Sequence, residues 1–181
     1  MQPSQASDEE LMRAYANGDS AAFDELFARY APMLLRVMQR QLRSAEEAND
    51  LVQQTFLQLH RARHDFRADA KLRPWLFTIA LNLKREHFRR VKRRPEAELV
   101  LDGHGDPGTV EKNLDRYEAA KTLEYALEKL PQSQREVIEL HWFGELSFNE
   151  IASLVGASLS AVKVRAHRGY ATLRETLGEG T

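Results

Sequence analysis

The sequence has no cysteine and no long apolar run. The absence of cysteine excludes disulfides, thiolate zinc sites, iron–sulfur clusters and a cysteine nucleophile. No stretch of about 18 consecutive apolar residues occurs, so we expect no membrane-spanning helix. Residues 1–10 are polar and acidic, which predicts that they are not a signal peptide. Runs that alternate apolar and polar residues are nearly absent too, and this argues against β strands.

The chain also has almost no net charge, because 26 lysines and arginines nearly balance 27 aspartates and glutamates. A total of −1 argues against a nucleic-acid-binding protein, which usually carries a positive excess. The charges are nevertheless segregated. Residues 71–94 carry nine bases and one acid, residues 95–118 carry seven acids and two bases, and residues 158–174 carry four bases and no acid. Two basic elements are therefore separated by an acidic segment.

Apolar residues recur with the spacing of three or four that is typical of amphipathic helices. Residues 64–72 lose this period and are predicted to form a loop, and Pro32 predicts a kink or a break in its helix. Glycine, proline and acids follow Pro95, which indicates a linker. We predict an all-α fold with two small helical domains, residues 8–94 and 113–177. A flexible acidic linker, residues 95–112, joins them.

The C-terminal domain contains the pattern of a helix-turn-helix. Ser147-Phe-Asn-Glu150 is a capping box that opens a short helix. Ala152, Gly156 and Val162 then have the spacing at which a small residue, a turn glycine and a branched residue let two helices cross. The second helix would enter the major groove of DNA. A plain helical hairpin with solvated basic residues is the alternative. The side chains predicted to point outward are Ser158, Ser160, Lys163, Val164, His167 and Arg168.

Two further surfaces stand out in the N-terminal domain. Residues 84–94 carry seven bases and one acid. These bases could neutralise several phosphates, or they could simply be the solvated end of a helix. Trp75 and Phe77 precede this run and could stack on unpaired bases, although a place in the core is the simpler interpretation for Trp75. The helix at residues 46–62 has an amide-rich face that suits a protein partner as well as water.

Several segments, taken together and in order, resemble bacterial sigma factors of the extracytoplasmic-function (ECF) group, the minimal members of the sigma-70 family. The segments that carry the resemblance are Asp50-Leu-Val-Gln-Gln-Thr-Phe-Leu57, Leu72-Arg-Pro-Trp-Leu-Phe-Thr-Ile-Ala-Leu-Asn82, Lys84 to Arg94, Leu130-Pro-Gln-Ser-Gln-Arg-Glu-Val137, Leu146-Ser-Phe-Asn-Glu-Ile-Ala152 and Val162-Lys-Val-Arg165. They resemble regions 2.2, 2.3, 2.4 and 4 of the family. The resemblance implies an initiation factor that directs core RNA polymerase to promoters.

The resemblance also implies where each partner binds. The β′ clamp helices of core polymerase would contact Asn49, Asp50, Gln53, Gln54, Phe56 and Gln58. The −10 element would be opened and read by Phe66, Arg67, Asp69, Lys71, Asn82, Lys84, Arg85, Arg89, Arg90, Lys92 and Arg93. The −35 element would be read by Ser158, Ser160, Lys163, Val164, Arg165, His167 and Arg168. In the family, the loop that precedes region 2.3 captures a flipped-out base, at an extrusion cost of a few kcal/mol.

Further implications concern partners and chemistry. The β flap of core polymerase, promoter DNA and an anti-sigma factor are expected partners, in the cytoplasm. Catalytic residues, a metal, a cofactor, a small-molecule substrate and membrane insertion are not expected. Four positions depart from the family pattern. Gln54 stands where an acid is common, Leu81 where arginine is frequent, Ala161 where threonine is usual, and Val164 where serine is usual.

Two features of the sequence would also fit other functions. His64-Asp65 in a helical domain resembles metal-dependent HD phosphohydrolases, and His60 could join His64 on a metal at the i, i+4 spacing. Neighbouring arginines disfavour such a site, and no glycine-rich phosphate loop or serine nucleophile elbow occurs. A stand-alone helix-turn-helix regulator would explain residues 113–177 only. It leaves the basic helix, the amide face and the linker without a role.

The near-neutral total charge makes a prediction about the free protein. Little long-range attraction to DNA remains, so we expect the chain alone to bind promoter duplex weakly, and much more tightly once core polymerase separates the domains. Titration of a labelled promoter duplex at physiological salt, with and without core polymerase, measures this. Nanomolar binding by the free chain would contradict it.

Overall fold

The computed structural model describes residues 6–42, 44–67, 69–93 and 114–178, and within them the chain is helical and has no strand. The helices of the described residues are α1 (Asp8–Ala16), α2 (Ser20–Gln41), α3 (Ala45–Arg61), α4 (Leu72–Arg93), α5 (Leu114–Glu128), α6 (Gln132–Trp142), α7 (Phe148–Val155) and α8 (Leu159–Gly178). Contacts divide the chain into two compact units, Met1–His104 and Gly105–Thr181. The predicted all-α class is confirmed. The predicted linker, residues 95–112, lies outside the described residues.

Short polar side chains determine where several helices begin. The Asp19 carboxylate accepts from the backbone N–H groups of Ala21 and Ala22 at the start of α2, and the Ser44 hydroxyl accepts from the first turn of α3. These groups satisfy N–H donors that have no partner inside a helix. Ser7 makes a reciprocal capping box with Glu10 at α1. The segment Ser7-Asp-Glu-Glu10 has the capping-box pattern in the sequence, although α1 was not predicted from it.

The first unit is a bundle of α1 to α4 in which α2 packs on α1 and α3, and α4 packs on α3 and α1. Its largest fully buried side chains include Met12, Tyr30 and Phe77, one from each of three helices. Of the two outcomes predicted for Pro32, the break is wrong because α2 runs through it, and the kink stays a prediction. Pro32 lies on the exposed side of the helix, where water can reach the carbonyl of Ala28 that loses its N–H partner.

The second unit packs α8 against α5, α6 and α7. Its core includes Leu127, Ile138 and Leu173, which are buried in one cluster. Gly169 lies where α8 crosses α6, and a Cβ added there would be 2.5 Å from the Cδ1 atom of Ile138. The absence of a side chain therefore permits the close approach of these two helices.

We expect Gly169→Ala to destabilise the second unit by about 1–3 kcal/mol, because the new methyl group would overpack the crossing. Urea unfolding of the full chain, followed by circular dichroism, measures the loss. Gly178→Ala is the matched control, since nothing lies within 4 Å of a Cβ at that position. Equal stability of the two variants would contradict this account of the crossing.

Candidate nucleic-acid interfaces

One face of α8 presents the residues predicted to read duplex DNA. Ser160, Lys163, Val164, His167 and Arg168 are all exposed, and their spacing of three or four places them in one stripe. Val164 is 48% exposed although it is apolar. Arg165 is half-buried and lies beside the stripe rather than on it. The stripe combines a hydroxyl, two cations, an imidazole and a branched methyl, which are groups that can meet base edges and the thymine methyl.

The turn before α8 is built by Gly156 of the predicted motif and by Ser158. Gly156 ends α7 in the left-handed conformation, with φ of 66°. Ser158 then starts α8, where its hydroxyl accepts from the backbone N–H of Ala161 at 3.2 Å. Ala152 and Val162 are buried at the crossing of the two helices, as the spacing predicted. The predicted capping box between Ser147 and Glu150 is also present at α7.

The second basic face lies on α4 in the first unit. Asn82, Arg85 and Arg89 are exposed at successive turns of the helix, followed by the last-turn residues Lys92 and Arg93. The Arg85 guanidinium donates to the Asn82 side-chain oxygen at 3.0 Å, and Arg89 is 3.9 Å from the Glu86 carboxylate. These contacts are solvent-exposed and therefore weak, so phosphate oxygens could replace them at little cost.

The loop between α3 and α4 leads into this face. The ring of Phe66 lies against Trp75 in the first turn of α4, with centroids 5.2 Å apart. Arg67 and Asp69 form a two-bond ion pair at 3.1 and 3.0 Å, and both side chains are largely exposed. Lys71 is also exposed. The four loop residues predicted to hold a flipped base thus remain accessible in part or in full.

The prediction for Lys84 needs correction. Its side chain is 7% exposed, and its ammonium group donates to the Gln41 side-chain oxygen at 2.6 Å. Lys84 therefore ties α4 to the end of α2 and is not presented to DNA. Leu81, one of the four positions that depart from the pattern expected from the resemblance, is fully buried in the same unit. Both positions face the bundle, while Asn82 and Arg85 face out.

The amide face of α3 borders two separate depressions. Asn49 and Gln53 line an apolar groove of about 370 Å³ between α2 and α3, next to Phe27. Asp50 and Gln54 line a cleft of about 560 Å³ toward the end of α4. This second cleft also contains Arg90 and Arg93, so two predicted DNA contacts lie beside the predicted protein contacts.

The prediction for Phe56 also needs correction. Phe56 is 4% exposed, and its ring packs on Phe27 at 4.6 Å and on Phe23 at 6.0 Å. A partner protein could not reach it without opening this cluster. Phe27, which is 43% exposed, and Leu57, which is 48% exposed, present the apolar surface instead. Gln58 is exposed on the same helix, as expected.

The histidines proposed in the rival metal site have a different environment. The His60 Nδ1 atom is hydrogen-bonded to the Tyr15 hydroxyl, which connects α3 to α1. Across the described ranges, no group of three or more histidine, aspartate or glutamate side chains could hold a metal ion. Nor does any helix in those ranges have the length and apolar character needed to cross a membrane.

Comparison with known proteins matches both units. Residues 26–94 match the model of sigma-70 region 2, and residues 120–173 match that of sigma-70 region 4. RNA polymerase sigma factor CarQ of Myxococcus xanthus is 36% identical over 168 residues, which cover 93% of this chain and 96% of CarQ. The ECF RNA polymerase sigma factor SigM of Mycobacterium tuberculosis is 34% identical, over 95% of this chain and 85% of SigM.

Two solved structures are similar as well. CnrH, in complex with the cytosolic domain of CnrY, has a TM-score of 0.70 and 29% identity, and covers 96% of this chain and 99% of CnrH. The sigma factor RpoE of Bartonella quintana, in complex with the anti-sigma factor NepR, has a TM-score of 0.71 and 25% identity. That match covers 86% of this chain and 96% of RpoE.

The left-handed conformation of Gly156 predicts that a substitution there acts through backbone strain and not through packing. Nothing lies within 4 Å of a Cβ at this position, so Gly156→Ala adds only backbone strain, about 1–2 kcal/mol. Gly156→Asn should cost less, because asparagine tolerates this conformation. Urea midpoints of the two variants give the comparison. An alanine variant as stable as the asparagine variant would contradict the assignment of the turn.

Proposed function

The chain belongs to the sigma-70 family, in its ECF group, and we propose that its two helical units read the two halves of a promoter. As a sigma factor, it binds core RNA polymerase and directs promoter-specific initiation; it is not an enzyme. The match of both units, over nearly the full length of CarQ, carries this conclusion. The stand-alone regulator accounts for the second unit only.

The −35 element is assigned to the exposed stripe of α8. Lys163 and Val164 lie within the first two turns of the helix, the part that enters the major groove in helix-turn-helix proteins. Arg168 lies one turn further on and, with Arg165 beside it, suits phosphate oxygens. Ser158 uses its hydroxyl to cap α8, so we assign it a role in positioning the helix as well as in contacting DNA.

The −10 element is assigned to the loop before α4 and to the exposed face of α4. Phe66 offers an aromatic surface for an unpaired base, and the Arg67–Asp69 pair offers donors and acceptors to its edge. Asn82, Arg85 and Arg89 continue this surface along the helix, where they can follow the strand. Lys84 is left out of this assignment because it is buried.

Core polymerase is assigned to two surfaces, one on each unit. The β′ clamp helices would bind α3 at Asn49 and Gln53, beside the apolar groove that Phe27 borders. The β flap would bind the second unit, where Trp142 is 48% exposed and stacks on Tyr170. Burial raises the pKa of the Tyr170 hydroxyl, so it stays neutral there near pH 7.

An anti-sigma factor is the expected regulator. CnrH and RpoE were each solved with a protein bound, and in RpoE that protein is an anti-sigma factor. An anti-sigma factor would act by covering the surfaces assigned to core polymerase. We propose that the chain acts in the cytoplasm, where RNA polymerase is.

Transcription in vitro tests the assignment directly. A library of random promoters first selects the promoter sequence that the holoenzyme uses. Core polymerase plus this protein should then start RNA at that promoter, and core polymerase alone should not. Association with core polymerase should be measurable in the absence of DNA. Tight binding to a duplex operator by the chain alone, without association with core polymerase, would instead support the stand-alone regulator.

Lys163 provides a residue-level test of the −35 assignment. We expect Lys163→Ala to weaken holoenzyme binding to the −35 duplex by about 1–3 kcal/mol and to relax the preference at one base pair, because it removes a donor to a base edge. Competition with −35 duplexes substituted at each position measures this. Lys121→Ala is the control, since it removes the same charge from an exposed position on α5. A uniform loss across all sequences would place Lys163 on phosphate instead.

A further inference from the structure

The start of α4 has no capping residue of its own. Ala70 and Lys71 precede the helix, and neither side chain can accept a hydrogen bond from its first turn. A distant residue supplies the acceptor. The Glu9 carboxylate, from α1, accepts from the backbone N–H of Leu72 at 3.3 Å. The same oxygen lies 3.8 Å from the Lys71 ammonium group.

A second acid of α1 reaches the same turn through a buried tyrosine. The Asp8 carboxylate accepts from the Tyr30 hydroxyl at 2.5 Å and from the Arg29 guanidinium at 2.8 Å. Arg73, the second residue of α4, lies close enough to Tyr30 to lower its pKa. Burial and Asp8 outweigh that effect and raise the pKa well above its usual value, so Tyr30 remains a donor to Asp8.

These contacts surround the point where the proposed −10 loop ends. Lys71 is the last residue of that loop, and Phe66 packs on Trp75 only three residues into α4. A shift or fraying of the first turn of α4 would therefore move both the cation and the aromatic platform. The carboxylate also faces the positive end of the helix dipole, which favours a negative charge there.

We propose that Glu9 is a positioning residue for promoter opening: it caps α4 from α1 and thereby holds the −10-reading loop in its base-binding arrangement. Asp8, through Tyr30, supports the other side of the same turn. The proposal rests on the assignment of the loop to the −10 element, but adds a residue that lies outside the loop, outside α4 and outside the segment that matches region 2.

Three substitutions separate the parts of this contact. Glu9→Ala removes both the acceptor and the charge. Glu9→Gln keeps an oxygen that can accept from Leu72 but loses the negative charge. With the charge go the 3.8 Å ion pair with the largely exposed Lys71 side chain and the attraction to the helix dipole, both of which are small. Asp24→Asn, in α2, is the matched control, because it removes the same charge from an exposed position in the same unit.

The measurement uses holoenzyme and a single-stranded oligonucleotide with the −10 sequence selected by the unsubstituted protein. We expect Glu9→Ala to weaken binding by up to about fivefold, the factor by which losing a helix cap typically lowers the stability of the folded helix start. Glu9→Gln should stay within about twofold of the unsubstituted protein, and Asp24→Asn should be unchanged. The affinity of all three for core polymerase should also be unchanged. Equal binding by Glu9→Ala and Asp24→Asn would overturn the proposal.

Base discrimination distinguishes positioning from a loss of folded protein. Each variant is compared on the selected oligonucleotide and on one substituted at its most strongly selected base. Positioning by Glu9 predicts that the ratio of the two affinities falls in Glu9→Ala and recovers in Glu9→Gln. Loss of folded protein would lower both affinities in proportion and leave the ratio intact, which would overturn the proposal.

Tyr30→Phe provides a second variant in case Glu9→Ala does not fold. It keeps the buried ring and removes only the hydroxyl that Asp8 accepts from, and we expect the same fall in discrimination. An unchanged ratio would count against the proposal. Failure of the unsubstituted holoenzyme to initiate at any promoter would overturn the proposed function itself, which is a different result from any of these.

Discussion

The unpaired N–H groups at the start of a helix are the constraint on which both proposed DNA surfaces depend. A helix start needs an acceptor from outside the helix, and whatever supplies it helps to determine where the helix begins. Ser158 supplies the acceptor for α8 from the turn itself. Glu9 supplies it for α4 from another helix. The helix that carries the −35 stripe therefore begins at a local cap, whereas the helix that carries the −10 surface begins at a cap from a tertiary contact.

The two proposed DNA surfaces also differ in how their charges are arranged. The stripe on α8 carries cations without a nearby acid in its helix up to Arg174. The −10 surface instead contains its own exposed ion pairs, such as Arg67 with Asp69. Such pairs are weak in water and can exchange partners, so they hold the loop without opposing a nucleic acid strongly. The near-zero total charge is the sum over these surfaces and the acidic residues 95–118, so it does not describe the charge of any one of them.

Sequence reasoning succeeded where the determinants are local. The capping box at Ser147, the turn at Gly156 and the buried crossing at Val162 were all predicted, because each depends on residues a few positions apart. It failed where the outcome depends on a facing helix. Lys84 belongs to a run of cations, yet Gln41 of α2 binds it inside the bundle. Phe56 was assigned to a partner, yet Phe23 and Phe27 cover it.

The sequence by itself therefore determined the helical class, the order of the motifs and the membership of the family that these motifs indicate. Periodicity, caps and turn residues act through neighbours in the chain, and they can be read without knowing the fold. Only the tertiary structure decided which residues of a basic helix face outward. It also decided that the Glu9 carboxylate caps the helix that begins at Leu72. Sixty-three residues separate that donor from its acceptor, and only the packing of α1 against α4 brings them together.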